Sequence, residues 1–259
     1  MSDVEVIVHP DAEALAAAVA SRLITSIIDA QADHGRAQVV LTGGGMGGKS
    51  QQAVVKDPSQ RAVDWDKVDF YWGDERFLPE GHPDRNETQA RAAILTPLSI
   101  KESCIHAMPA SNGAWGDDLA AAAVGHAQEL AALAGPDSAL QVPVFDVLML
   151  GVGPDAHIAS LFPDHSDTHV DDVSVYWIDD SPKPPPQRLT FTFPVIRSAT
   201  EVWLVASGAE KAAAFAEALK PGADISHYPA AGAKGRVRTL ALVDEAAASE
   251  LPESMIRRS

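Results

Sequence analysis

Short apolar runs alternate with amphipathic stretches along most of the chain. Runs of strand length, rich in aliphatic and aromatic residues, fall at positions 4–8, 37–41, 68–72, 144–150, 189–193, 202–206 and 237–243. The run at 144–150 reads as a central parallel strand covered on both faces. Behind Asp11, a good N-cap, Leu15, Val19, Leu23 and Ile27 recur every four residues and predict a long amphipathic helix. Further helices are predicted over 86–95, stopping before Pro97, over the alanine-rich 116–133, and over 210–219, ended by Pro221 and Gly222. Asp244 is expected to cap a last helix. The stretch "SQQAVVKDP", beginning at Ser50, reads as a short, poor helix. Between 164 and 187 the chain turns acidic and then proline-rich, which predicts a surface loop with a short strand at 173–178. Its prolines at 184–186 are expected to be stiff and extended.

This alternation predicts an α/β fold: a Rossmann-like, doubly wound, mostly parallel sheet with helices on both faces, as one domain over residues 1–259. In such sheets ligands bind beyond the carboxyl ends of strands. Three unusual polar motifs fall at those ends: "TGGG" from Thr42, "GDER" from Gly73 and "GPDAH" from Gly153.

Charge narrows the partners. Acidic residues outnumber basic ones 36 to 20, a formal net charge of −16, which argues against nucleic acid. A small anion stays open, because a local cluster of cations overrides the global field. Cys104 is the only cysteine, so no intrachain disulfide forms and a reducing compartment is expected. No basic segment leads into an apolar core at the start, and no run approaches the roughly 18 apolar residues of a membrane span. The expectation is a cytoplasmic protein without membrane association, with a monomer favoured.

The glycine run carries the first candidate chemistry. From Gly43, "GGGMGGKS" satisfies G-x-x-x-x-G-K-[ST], the spacing of a nucleotide-binding P-loop, with Gly48, Lys49 and Ser50 in place. A P-loop also needs an acidic residue at the end of a nearby apolar strand, to help hold magnesium. The 144–150 run ends in Gly151, and Asp74 and Glu75 follow an aromatic run close behind the loop. A weaker reading needs less: backbone N–H groups of the turn, the Thr42 hydroxyl and a helix N-terminus converge on an anion. A tight turn without a ligand is the alternative.

Arg76 follows Asp74 and Glu75 at a strand end, where it can grip an anion bidentately or polarise an oxygen. His157 lies two residues after Asp155 on a Gly-Pro turn, suitably placed for a base, although a structural histidine fits the same pattern. His165 and His169 stand among Asp164, Asp167, Asp171 and Asp172 and mimic a metal site. No helical pattern puts them on one face, so an acidic loop and no metal are expected. Arg188 follows the prolines at the mouth of a strand. Lys211 sits in the first turn of a helix, against the macrodipole, which is easier to understand with an anion in front of it.

Five blocks together, "TGGG", "WGDERFLPEGHPDRNETQAR", "LGVGPDAHIASLFP", "PPQRLTFTF" and "GAEKAAAF", resemble the 6-phosphogluconolactonases in content and order. The resemblance runs from about residue 41 to residue 219. It implies the Rossmann-like fold shared with glucosamine-6-phosphate deaminase and ribose-5-phosphate isomerase. It also implies hydrolysis of 6-phospho-D-glucono-1,5-lactone to 6-phosphogluconate, in the oxidative pentose phosphate pathway, without cofactor or metal. The glycine turn would then hold a sugar phosphate rather than a nucleotide.

On that resemblance His157 is the base, Asp155 orients or tunes it or contacts substrate hydroxyls, and Arg76 stabilises the oxyanion or binds the phosphate. Thr42, Gly43, Gly44, Arg188 and Lys211 form the phosphate set. Asp74 and Glu75 support the site, and Asn86 braces their loop. The deaminases have a similar histidine turn, followed by an acid that serves ring opening. Here Ser160, Leu161, Phe162 and Pro163 stand in that block, which favours the lactonase. A non-catalytic sugar-phosphate binder remains a third possibility. The chain departs from the family's usual pattern at Ala156, where glycine is common, at Arg85, where serine is common, and between Met46 and Ser50. If position 156 needs a positive φ or close substrate approach, alanine would strain the turn or crowd the site.

Overall fold

A computed structural model describes residues 4–136 and 138–258 of the chain. Its strands are β1 (Val4–His9), β2 (Ala37–Leu41), β3 (Val68–Trp72), β4 (Asp74–Arg76), β5 (Val147–Gly151), β6 (Val175–Ile178), β7 (Arg188–Phe191), β8 (Glu201–Ala206), β9 (Arg238–Asp244) and β10 (Ile256–Arg258). The α-helices are α1 (Ala12–His34), α2 (Gly44–Lys56), α3 (Asn86–Ala90), α4 (Leu119–Leu133), α5 (Phe193–Ser198) and α6 (Ala212–Ala218).

Seven strands form one sheet in the order β10-β1-β9-β8-β5-β2-β3. Every pairing in it is parallel. Period-two alternation divides the strand residues between two cores. Val40, Tyr71, Leu148, Leu150, Val202, Leu204, Ala241 and Val243 face one side, beneath α4, α5 and α6. Val39, Leu41, Phe70, Trp72, Val147, Met149, Trp203, Val205, Leu240 and Leu242 face the other, against the buried stripe of α1 and Val54 of α2. Each valine, leucine, methionine and phenylalanine among them leaves water almost completely, worth about 1.5–3 kcal/mol apiece. Two buried faces are what the helix-strand alternation requires.

A second, antiparallel sheet in the order β4-β7-β6 lies over the first core. It takes the run expected at 189–193, whose strand begins at Arg188, and the short strand expected at 173–178. It also makes a strand of the charged Asp74–Arg76, which no apolar pattern announces.

Other boundaries move for local reasons. β5 starts at Val147 because Asp146 interrupts the apolar run; its Oδ2 accepts the Gln38 N–H at 2.8 Å instead. α4 starts at Leu119, where Asp118 caps it through the Ala121 N–H (2.9 Å). The segment expected to be a poor helix from Ser50 is the end of α2, a helix of 13 residues that begins inside the glycine run. Packing on α1 outweighs the weak propensity of its glycines.

No α-helix follows Asp244 among the described residues. Its carboxylate accepts N–H groups of Gly208 (3.1 Å) and Ala247 (2.8 Å), and the Ser207 hydroxyl (2.6 Å). The residue therefore caps a turn and ties the ends of β8 and β9 together. Among the described residues no helix is long and apolar enough to cross a membrane.

Asp69 of β3 is 6% exposed and is hydrogen-bonded by Arg36, by Gln38 Nε2 (3.0 Å) and by His106 Nε2 (3.2 Å). Burial opposes its charge, but the Arg36 and His106 contacts outweigh this and hold its pKa down at about 2. A folded-state pKa below the unfolded value adds stability above pH of roughly 4, and that contribution is lost as pH falls toward 2. Asp69→Asn should therefore cost about 2 kcal/mol in urea unfolding at pH 7. The gap to wild type should narrow steadily between pH 4 and 3. A gap that stays constant with pH would contradict the assignment.

Candidate active site

The crevice lies where the chain leaves neighbouring strands in opposite directions. From β2 it runs outward to β3, and from β5 it runs inward to β8. Such a switch point leaves room for a ligand beyond the strand ends. Thr42 Oγ1 accepts the Gly151 N–H at 2.9 Å and joins the two exits.

α2 begins at once after β2. Its N-cap, Gly43, offers no capping side chain, so the first amides of the helix are open to a ligand. Only glycine fits at 43, because a Cβ there would collide with the Asn86 amide oxygen. Gly44 takes φ +77°, which lets the chain turn into the helix. Gln51 Nε2 donates to the Thr42 carbonyl at 3.0 Å and fixes the turn from below.

β4 supplies the second wall. Glu75 is fully buried and accepts three backbone N–H groups: Arg76 (2.8 Å), Asn86 (2.7 Å) and Glu87 (2.9 Å). The last two belong to the first turn of α3, so Glu75 caps that helix from a distant strand. Burial pushes the Glu75 pKa up, while Arg85, with Nη2 at 3.8 Å, and the amides pull it down. Arg85 is itself buried and also donates to the carbonyls of Arg76, Leu78, Met108 and Pro109. The cation at position 85 thus rivets the loop.

Asn86 Nδ2 donates to the Asp74 carbonyl at 2.9 Å. Asp74 Oδ2 accepts the Ser160 hydroxyl at 2.7 Å and lies 3.9 Å from Arg188 Nη1. Arg76 Nη1 donates to the Asp84 carbonyl at 2.7 Å, and its buried Nε has no hydrogen-bond partner among the described residues.

The third wall is the turn after β5. Gly153 N donates to the His157 carbonyl at 2.9 Å and closes the turn tightly. His157 Nδ1 lies 2.5 Å from Asp155 Oδ1, and Phe162 packs on the ring with centroids 4.9 Å apart. A Cβ at Gly153 would run into the His157 ring and the Asp155 carboxylate, so glycine is required there. Burial works against the Asp155 charge, but hydrogen bonds from His157 and Lys183 prevail and keep its pKa well below the usual carboxylate range.

Two cations complete the surroundings. Arg188 is 5% exposed; its Nε donates to the Pro185 carbonyl (3.0 Å) and its Nη2 to those of Lys183 (3.1 Å) and Pro184 (3.0 Å). Nη1 is left to face Asp74 and the crevice. Burial lowers the Arg188 pKa. Lys211, just ahead of α6, is also lowered, first by burial and further by Lys183.

Together these walls enclose a cavity of about 430 Å³. Thr42, Gly43, Gly44, Asp74, Arg76, Asn86, His157, Arg188 and Lys211 all line it. Asp155 stands behind His157, and Glu75 lies beneath, outside the lining. Three features escaped the sequence reading. Lys183 lies within reach of both Asp155 and His157. Ser160 holds Asp74. Glu210 and Ser207 line the cavity beside Lys211. A lysine set among prolines just ahead of Arg188 was the available signal for the first.

The P-loop match has a different geometry. Lys49 is exposed at the rim, and Ser50 is 5% exposed, with no partner for its hydroxyl among the described residues. A P-loop serine must reach the metal beside the nucleotide phosphates; Ser50 is turned away from the cavity lining. Among the described residues His165, Asp167 and Asp180 bring possible metal ligands within 4.8 Å of one another. His165 Nδ1 lies 3.3 Å from Asp167 Oδ2, and its Nε2 lies 3.0 Å from Asp180 Oδ1.

Ala156 takes φ +64° and is fully buried. Its methyl packs in the first core, not in the cavity, so the departure strains the turn without crowding the site.

A parallel α/β sheet with an open helix N-terminus, a buried arginine and a carboxylate-held histidine at its switch point forms an anion-binding class of site. The chain belongs to the family described as glucosamine-6-phosphate isomerases/6-phosphogluconolactonase, whose sequence model matches residues 10–241. A Streptomyces coelicolor protein named 6-phosphogluconolactonase is 52% identical over 256 residues, covering 98% of each chain. One of the same name from Mycobacterium tuberculosis is 47% identical over 248 residues, covering 95% of this chain and 97% of its own. The solved 6-phosphogluconolactonase of Trypanosoma brucei superposes with a TM-score of 0.82 at 25% identity, over 97% of this chain and all of that one. A monomeric glucosamine-6-phosphate deaminase shares the fold, with a TM-score of 0.77 at 18% identity over 95% of this chain and all of that one.

Ala156→Gly sets two effects against each other. Removing the Cβ at φ +64° relieves about 1–2 kcal/mol. Losing a buried methyl and freeing the unfolded chain costs about the same. The expected change in unfolding free energy is below about 1 kcal/mol, with turnover unaltered. A large gain in turnover would show that alanine crowds the site after all.

Proposed function

We propose that the protein hydrolyses 6-phospho-D-glucono-1,5-lactone to 6-phospho-D-gluconate. The observation that carries this reading is the sharing of one cavity by His157 and by the α2 N-terminus with Arg188 and Lys211. Its volume lies within the roughly 300–1,000 Å³ of small-molecule sites. The names of the close relatives agree with it.

The phosphate sits at the glycine turn. Open amides of α2, the Thr42 region, Arg188 Nη1 and Lys211 supply donors and positive charge. The lactone carbonyl then reaches His157. With Nδ1–H donating a hydrogen bond to Asp155, the Nε2 lone pair is free. Nε2 takes a proton from water as the oxygen attacks C1. The tetrahedral oxyanion collapses, the bond from C1 to the ring oxygen breaks, and the ring oxygen receives the proton. Arg76 presents a donor on the cavity wall to the oxyanion or to the phosphate. A lactone is an activated ester, so general-base help of roughly 10²–10⁴ with positioning is enough.

A deaminase reading fares less well. The block after His157 offers no carboxylate: Ser160 holds Asp74, and Phe162 packs on the histidine ring.

With freshly generated lactone, and after correction for spontaneous hydrolysis, His157→Ala should lose roughly 10²–10⁴ in kcat while staying folded. Lys211→Ala should mainly raise KM. Full turnover in His157→Ala would remove the base from the mechanism, and an inactive wild type would leave a sugar-phosphate binder.

A further inference from the structure

Lys183 has no part in the hydrolysis above, yet its ammonium touches both members of the base pair. Nζ lies 2.9 Å from Asp155 Oδ2 and 3.0 Å from His157 Nδ1. Asp155 Oδ1 lies 2.5 Å from the same Nδ1. These three contacts are not all hydrogen bonds at once. Nδ1 has one in-plane position: it carries a proton and donates, or a lone pair and accepts. Accepting from the ammonium would turn its lone pair against an oxygen lone pair at 2.5 Å. The groups are satisfied when Nδ1–H donates to Oδ1 and Lys183 donates to Oδ2. The ammonium then rests beside an N–H it cannot bond. That proximity is tolerable for a neutral ring and repulsive for an imidazolium.

On the lactonase reading, we propose that Lys183 is a positioning residue for His157, pinning Asp155, fixing the Nδ1–H tautomer and opposing a second proton on the ring. The carboxylate attracts a second proton to the ring, and the ammonium opposes it.

Other charged groups lie on the same turn or on the cavity lining. Asp155 belongs to the same turn. Glu210 and Lys211 stand together ahead of α6, and Arg188 of β7 faces Asp74 of β4. Arg76 of β4 lies on the same lining. The lysine is held by its own backbone: its carbonyl accepts from Arg188 Nη2 (3.1 Å) and from the Ser181 hydroxyl (2.9 Å). Arg188 thereby links the anion end of the cavity to the base through the segment that carries Lys183.

Wild type, Lys183→Met and Lys183→Arg are compared by the pH profile of kcat/KM and by ¹⁵N NMR titration of the His157 ring. In Lys183→Met the acid limb should move up by about one pH unit, so that kcat/KM below it falls about tenfold. Lys183→Arg should keep the wild-type limb. The NMR should report the Nδ1–H tautomer in wild type, with the second proton taken up at higher pH in Lys183→Met. The titration needs no turnover, so an inactive wild type would sink the hydrolysis without touching it. An unmoved ring titration in Lys183→Met would overturn the inference alone. Loss of activity at all pH with an unmoved limb would make Lys183 a strut, and a rise in KM alone would make it a phosphate ligand; either result also overturns the inference.

Discussion

At the carboxyl ends of β2 and β5 the chain departs in opposite directions, and the hydrogen bond from Gly151 N–H to Thr42 Oγ1 (2.9 Å) holds the two exits together. Through β2 the sheet delivers a helix N-terminus. Through β5 it delivers the turn that carries Asp155 and His157. Neither works without the other beside it. The antiparallel sheet adds Asp74, Arg76 and Arg188, so residues far apart in sequence meet on one lining. The carboxylate of Glu75 secures that addition from beneath. It is a buried carboxyl group that accepts three amides and lies beside Arg85, so it holds β4, α3 and the Arg85 loop together.

An anion site in a chain of net charge −16 needs local physics to win over global charge. Screening helps, since exposed acids beyond a Debye length of about 8 Å count for little at physiological salt. The cations near the cavity are mostly shielded by the fold. Arg188 is buried, and Lys211 is desolvated enough for its pKa to fall. The open amides of α2 add a partial positive charge of roughly half a unit that no titration removes. The global charge still acts on encounter, where it slows the approach of an anionic substrate.

Much of this was legible beforehand because it follows from period and punctuation. The alternation of apolar runs gave the parallel sheet, and "TGGG", "GDER" and "GPDAH" fell at strand ends because polar motifs interrupt apolar runs there. What was not legible depends on tertiary contact. α2 reaches back into glycines because α1 covers it, and propensity alone argues the reverse. Asp74–Arg76 becomes a strand by pairing with β7, although its composition is that of a charged loop. Asp244 looks like a helix cap and instead joins two strand ends through Gly208 and Ala247. Lys183 was hidden in a proline-rich segment, where a charge reads as surface. Only the fold of that segment around Arg188 turns it toward Asp155.

One structure tests the central claim most directly: the wild-type protein crystallised with 6-phosphogluconate. The phosphate should lie at the α2 N-terminus within hydrogen-bond reach of Lys211 and Arg188 Nη1, and the C1 carboxylate should face His157 Nε2. A product bound in reverse, or with its phosphate away from the glycine turn, would contradict the account.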